Sequence, residues 1–533
     1  MAAAGYRELV ASYLDLRWQL DPVAATMAGT GTHDGKLGHY GASDIHAAVA
    51  AAKALSGAFE ELDPAERDMH IDVTAVLNDL RSLVSRFERE RPHQCNPEFH
   101  LSHVLNGLFA LVMRREQGAP ARAASLASRL AEVPRFFGEA RQTLQRPAPI
   151  VTETAISVGG GGRKLLTDAI PAFAAGLDDA SRAAIEAELP KAREAMDDFL
   201  VFLGTDLKDR SDGDFAIGRD AFDHRLHFEH ALRETSPELL RYGQALVRDT
   251  EREVAELGEQ LSPGTPWREL ADRLRATCPP GDSVVPAYAG QMERARRFVS
   301  DRQLATIPPG ELEVIATPSF MRPLVPFAAY DPPGAFAEDR TGWFYVTERG
   351  PDASRDHCVH ELACTALHEG YPGHHLQFLV AHRSPSPVRR IVASALTVEG
   401  WALYCEELMK DEGFLTKPEE RFFQRVHLLW RAVRIVLDIQ LHTGGMSFEQ
   451  AVRALMDTLG IQRANAESEV RRYCVTPAYN LCYAVGRREF LRLRDDLKRR
   501  DGASFSLKRF HDEALSYGGL PVSLIRWGMG LDD

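Results

Sequence analysis

Apolar residues recur at helical spacing through long stretches of this chain, most regularly over 180–202, 237–261, 418–441 and 484–498. Residues three and four apart share a helix face, so each stretch predicts a helix with one side turned to a core. Ser181 before Arg182-Ala183-Ala184 and Ser447 before Phe448-Glu449-Gln450-Ala451 place hydroxyl acceptors where helices should start. One region breaks the rhythm. Between residues 306 and 351 stand Pro308, Pro309, Pro318, Pro323, Pro326, Pro332, Pro333, Gly334 and Pro351. Proline lacks the N–H a helix needs, so the strand candidate Trp343-Phe344-Tyr345-Val346-Thr347 is the regular element expected there. The run Gly159–Gly162 followed by Arg163-Lys164 lacks the Lys-Ser/Thr ending of a phosphate loop and reads as a turn.

The pattern predicts a mostly α chain in two parts, an N-terminal helical lobe over 1–300 and a second helical lobe over 301–533 holding the short β excursion, with some interleaving. The length, 533 residues, also favours two lobes over one core. A formal net charge of −13 argues against nucleic acid as a partner. No run of about 18 apolar residues could span a membrane. Residues 1–20 carry Arg7, Glu8, Asp15 and Arg17 inside an amphipathic pattern, unlike a secretory signal. The seven cysteines, Cys95, Cys278, Cys358, Cys364, Cys405, Cys474 and Cys482, are few and odd in number; they read as reduced thiols of a cytoplasmic protein. Oligomeric state has no signature.

The densest chemistry is His368-Glu369-Gly370-Tyr371-Pro372-Gly373-His374-His375. Imidazoles ligate zinc, and a carboxylate beside one can take a proton from activated water. The segment looks like the helical H-E-x-x-H zinc motif stretched before its second histidine. On a regular helix the position one turn beyond His368 is Pro372, whose ring would clash with the His368 carbonyl. His375 would face the same way but lie about 10 Å along the axis. The helix must therefore loop out at Tyr371-Pro372-Gly373, which favours His374 as second ligand and leaves His375 as the alternative. Some twenty-five residues on, Glu399 starts an amphipathic stretch fit for an antiparallel neighbour and is the candidate third ligand. Glu406, seven further on the same face, is either a support for the ligands or a solvated charge. His360-Glu361 begins like the same motif but meets Cys364, so His360 reads as a packed histidine. Cys358 and Cys364 would be expected as ligands only of a closed structural site.

The block Ala366 to Gln377 resembles the signature of a bacterial family known as domain of unknown function 885. The similarity continues through Glu399-Gly400-Trp401-Ala402-Leu403-Tyr404, Arg431 to Ser447, Phe510-His511-Asp512 and Gly518-Gly519-Leu520-Pro521, and begins near Leu20-Asp21-Pro22. It implies a large two-lobed helical fold similar to gluzincin peptidases such as neurolysin, angiotensin-converting enzyme and carboxypeptidase Taq, with a zinc-bearing cleft and the β element as a cleft-edge strand. One departure stands out: where the family has Pro-Gly-Gln-Ala, this chain has Pro477-Ala478-Tyr479-Asn480.

The expected activity is hydrolysis of peptide or peptide-like amide bonds, with one zinc on His368, His374 and Glu399 and Glu369 as general base. Manganese or cobalt are also compatible with such ligands. Tyr483, with Tyr473 second, would steady the oxyanion, and Arg471, Arg472 and Arg487 would receive a substrate carboxylate. His442 and Asp438, one turn apart, would orient each other beside the substrate. Two rivals stand beside this expectation: a non-catalytic binding protein with a structural metal, and an amidase acting on a small metabolite.

Overall fold

The computed structural model describes residues 2–64, 66–114, 118–280, 283–318, 322, 325, 327–348 and 357–531. Pro323, Pro326 and Pro351 lie outside the described residues. Helices make up 71% of the chain and strands 3%, so the class is mostly α. No described helix is long and apolar enough to cross a membrane.

The chain forms two compact units that interleave: Met1–Ile217, Pro318–Pro326 and Gly334–Asp339 in one, Gly218–Thr317, Phe327–Pro333 and Arg340–Asp533 in the other. The boundary lies near 217, not 300, because the helices between 218 and 301 pack into the second unit.

In the first unit the helix expected over 180–202 runs Asp179–Phe202, but Asp178 caps it. The Asp178 carboxylate accepts from the Ser181 N–H at 2.9 Å and the Ser181 hydroxyl at 2.7 Å. The glycines expected to form a turn are instead the last part of the helix Pro149–Lys164. Gly159 and Gly162 share one face; a Cβ on either would meet Leu200 or Leu105 at 2.4 Å. Close helix packing, not a bend, is what requires glycine there.

The second unit carries every candidate site residue. Its helices include α1 (Ser236–Leu261), α2 (Val284–Asp301), α3 (Leu362–Glu369), α4 (His374–Ala381), α5 (Ala395–Asp411), α6 (Pro418–His442), α7 (Phe448–Leu459), α8 (Arg463–Val475), α9 (Cys482–Asp501) and α10 (Leu507–Ser516). Thr235 and Glu238 form a reciprocal capping box on α1, and Ser447 with Gln450 forms another on α7, as expected for Ser447.

The strand candidate forms β3 (Gly342–Val346), between β1 (Leu312–Ala316) and β2 (Ala328–Asp331). β3 pairs parallel with β1 and antiparallel with β2, so it is the central strand and not an edge. Alternate residues of a strand face one side. Phe344 and Val346 accordingly bury against Tyr288 and Met292 of α2 and Leu362 and Ala366 of α3. That core seats the helix that ends in His368 and Glu369.

Candidate metal centre

α3 stops at Glu369, residues 370–373 turn, and α4 begins at His374. Gly373 makes the turn possible. A Cβ there would stand 2.0 Å from the His368 carbonyl oxygen and 2.3 Å from that of Leu367. The buried indole N–H of Trp401, on α5, donates to the Pro372 carbonyl at 2.9 Å and ties the turn to the next helix.

The turn brings His374 back onto His368, their rings 4.8 Å apart and perpendicular. Glu399 Oε2 lies 3.5 Å from His374 Nε2 and 3.7 Å from His368 Nε2. The ligand atoms of the three residues all fall within 4.8 Å of one another. Ser394 caps α5, so Glu399 sits a full turn inside the helix and not at its start. Glu406 is buried and bonded to His368 Nδ1 at 2.9 Å, which leaves Nε2 facing Glu399. Burial opposes charge on His368, but hydrogen bonds to Glu399 and Glu406 outweigh it and hold its pKa up at about 10. Burial also raises the Glu399 carboxyl, yet the two histidines bring it well below the usual carboxylate range.

His375 goes elsewhere. Its Nδ1 pairs with the Tyr330 hydroxyl of β2 at 2.9 Å, Gly342 lies against its ring, and burial lowers its pKa to about 3. It is a packed, neutral histidine, and His374, not His375, converges on His368 and Glu399.

Residues 22–529 match the family described as bacterial protein of unknown function, DUF885. The chain belongs to that family. No curated protein matches this DUF885 chain. Among solved structures it is similar to a candidate lipoprotein of unknown function from Shewanella oneidensis, with TM-score 0.81 and 25% identity over 98% of this chain and 99% of the other. It is also similar to a candidate lipoprotein from Colwellia psychrerythraea, with TM-score 0.85 and 16% identity over 98% of each chain.

Around the three converging residues, the DUF885 protein places two phenols. Tyr479 donates to Glu399 Oε1 at 2.5 Å, and its oxygen lies 3.4 Å from that of Tyr483. The Tyr483 ring stacks over His368 with centroids 6.4 Å apart and carries the Arg434 guanidinium at 5.1 Å on its face. Burial and then the nearby Glu399 push the Tyr483 hydroxyl up to about 12, so it stays a proton donor at neutral pH. Glu369 is half-buried beside His368, with no hydrogen-bond partner among the described residues.

Five residues expected at the substrate serve other contacts. Tyr473 is fully buried, donates to Glu469 at 2.7 Å and accepts from Arg434 at 3.0 Å. Arg487 is paired with Glu407, and Arg472 with Glu469. Arg471 lies over the Phe448 ring. His442 donates Nε2 to the Tyr473 carbonyl at 2.9 Å and does not meet Asp438 in a hydrogen bond. Each is a helix-face residue whose sequence spacing reports a shared face but not what that face packs against. Asp438 accepts from the N–H groups of Ala478 and Leu481 at 3.1 and 3.0 Å, holding the turn that presents Tyr479. His360 stacks on Phe423 as a packed histidine.

His230 had no sequence signal. It is buried, and its Nε2 donates to the Ala478 carbonyl at 2.8 Å, so Nδ1 accepts from the Ser394 hydroxyl at 2.9 Å. One imidazole thus joins the cap of the Glu399 helix to the Tyr479 turn.

Proposed function

We propose that this DUF885 protein is a metal-dependent hydrolase of peptide or peptide-like amide bonds, with zinc as its ion. The observation that carries this reading is the convergence of His368, His374 and Glu399 within 4.8 Å, with Glu406 bonded behind His368. Two imidazoles and a carboxylate, steadied by an outer carboxylate, fit zinc as a catalytic donor set. Bound there, the ion would supply Lewis-acid activation of water.

The chain's own groups account for the rest. Glu369 follows His368 directly, has no competing hydrogen-bond partner among the described residues, and takes the proton from the attacking water to deliver it to the leaving amine. The Tyr483 hydroxyl donates to the developing oxyanion, and Arg434 keeps its ring in place. The gluzincin-like character of the fold belongs to the same proposal and rests on the His-Glu pair, the second histidine and a glutamate ligand on a following helix. A cytoplasmic location rests on seven cysteines that form no disulfide among the described residues. The two similar structures are described as candidate lipoproteins, so cell fractionation is the test of location.

The test of function is metal content by mass spectrometry on wild type and His368→Ala, then a panel of short peptides and acyl-amino acids with Glu369→Gln as control. Zinc held by wild type, one equivalent of it lost in His368→Ala, with turnover lost in Glu369→Gln, supports the reading. Wild type that takes no metal after zinc is added back overturns it.

A further inference from the structure

The two oxygens of Glu406 have different surroundings. Oε1 accepts from His368 Nδ1 at 2.9 Å, with Arg431 Nη2 at 3.7 Å, beyond hydrogen-bonding distance. Oε2 is buried with no hydrogen-bond partner among the described residues, on a side chain only 1% exposed. An orphan carboxylate oxygen in a dry interior calls for a cation, a donor or a water.

Besides Arg431, the Glu406 carboxylate has metal-ligand residue types around it. Cys364 Sγ, a Glu406 oxygen and a His427 nitrogen lie within 4.8 Å of one another, with Cys364 and Glu406 buried. They come from three helices, α3, α5 and α6. Cys364 stands one turn before His368 on α3, and Glu406 two turns after Glu399 on α5. The cluster therefore repeats the first group one step along the same helix pair, with a thiol in place of an imidazole. His427 Nε2 is also held by Glu361 Oε1 at 3.2 Å, which fixes the tilt of the ring.

We propose that Cys364, Glu406 and His427 form a second zinc site, thiolate-containing and one carboxylate away from the first. Thiolate, imidazole and carboxylate all belong to zinc's ligand set, and water would complete four-coordination. An ion there engages Oε2 and braces Glu406, whose Oε1 orients His368. Loading releases the Cys364 proton to solvent as the sulfur–metal bond forms. The inference does not rest on the hydrolase reading and holds whether or not the protein turns over a substrate.

The test uses the full chain, stripped by chelation and titrated with Co²⁺ as the probe. The second site has sulfur and the first has none, so only the second gives a thiolate-to-cobalt charge-transfer band in the near ultraviolet. Wild type should take up two equivalents and show the band. Cys364→Ser and His427→Gln should each lose the band and one equivalent. His374→Ala should lose one equivalent and keep the band. A single equivalent without the band in wild type overturns the proposal and leaves a buried water as the partner of Glu406. A band that survives Cys364→Ser overturns it too, because another cysteine is then the ligand. If Cys364→Ser fails to fold, His427→Gln decides on the same readout.

Discussion

Tyr479 donates its hydroxyl to Glu399 Oε1 at 2.5 Å, while Glu399 Oε2 turns to His374 and His368. One carboxylate thus divides its oxygens between a phenol and the two imidazoles, and the phenol sets which oxygen is offered to an ion. Tyr479→Phe removes that restraint and keeps the ring. Zinc affinity measured by chelator competition should fall by about 10- to 100-fold. Tyr479→Gln, which restores an N–H donor and the residue type the family resemblance places here, should recover part of the loss. Unchanged affinity in Tyr479→Phe would show that Glu399 is held without the phenol.

Glu369 is the one carboxylate beside His368 that no hydrogen bond engages among the described residues. Glu369→Gln should leave zinc content unchanged and lower kcat on any substrate found by roughly 10²- to 10⁴-fold, as removal of a general base does. Loss of metal together with activity would instead make Glu369 part of the binding group.

Gly373 has no room for a side chain, since its Cβ would press into two carbonyl oxygens of α3. Gly373→Ala should cost about 1–3 kcal/mol of stability in urea unfolding, and zinc content should fall with it because His374 is displaced. A variant as stable and as metal-loaded as wild type would mean that the turn follows another path.

His511 is buried, donating Nδ1 to the Leu304 carbonyl at 2.6 Å and accepting from the Tyr404 hydroxyl at 2.8 Å. Burial lowers its pKa from 6.5 to about 4. Its folded pKa lies below the unfolded one, so its contribution is fully present above about pH 6.5 and is lost as pH falls through about 4. Tm should drop more steeply from pH 7 to pH 4.5 in wild type than in His511→Leu. Equal slopes would show that other groups govern acid sensitivity.

Much of this arrangement was legible in the chain. Helical periodicity located four of the long helices to within a few residues, and Pro372 one turn after His368 announced the loop that brings His374, rather than His375, back onto His368. Glu399 stood out by its distance from the histidines, and Glu406 by its place on the same face. Other features depend on tertiary packing that no local pattern encodes. His230 is separated by 164 residues from Ser394 and by 248 from Ala478, both of which it bonds. Tyr473 and Arg487 have the residue types of a substrate site, but Glu469 and Glu407 reach them first. The glycines at 159 and 162 read as a turn in the sequence, but Leu200 and Leu105 pack against them inside a helix.

The helix of Glu399 and the helix of Tyr483 cross where Gly400 meets Gly486, a Cβ on the first falling 2.4 Å from the Cα of the second. The separation between Glu399 and the phenols is therefore set by two missing side chains. A methyl group at either position would act as a wedge, spreading the helices without altering any residue that does chemistry. The width between Glu399 and the two phenols is in this sense a property of the backbone, not of the side chains that face it. Gly400→Ala or Gly486→Ala should then move Glu399 and Tyr483 apart while leaving both side chains unchanged.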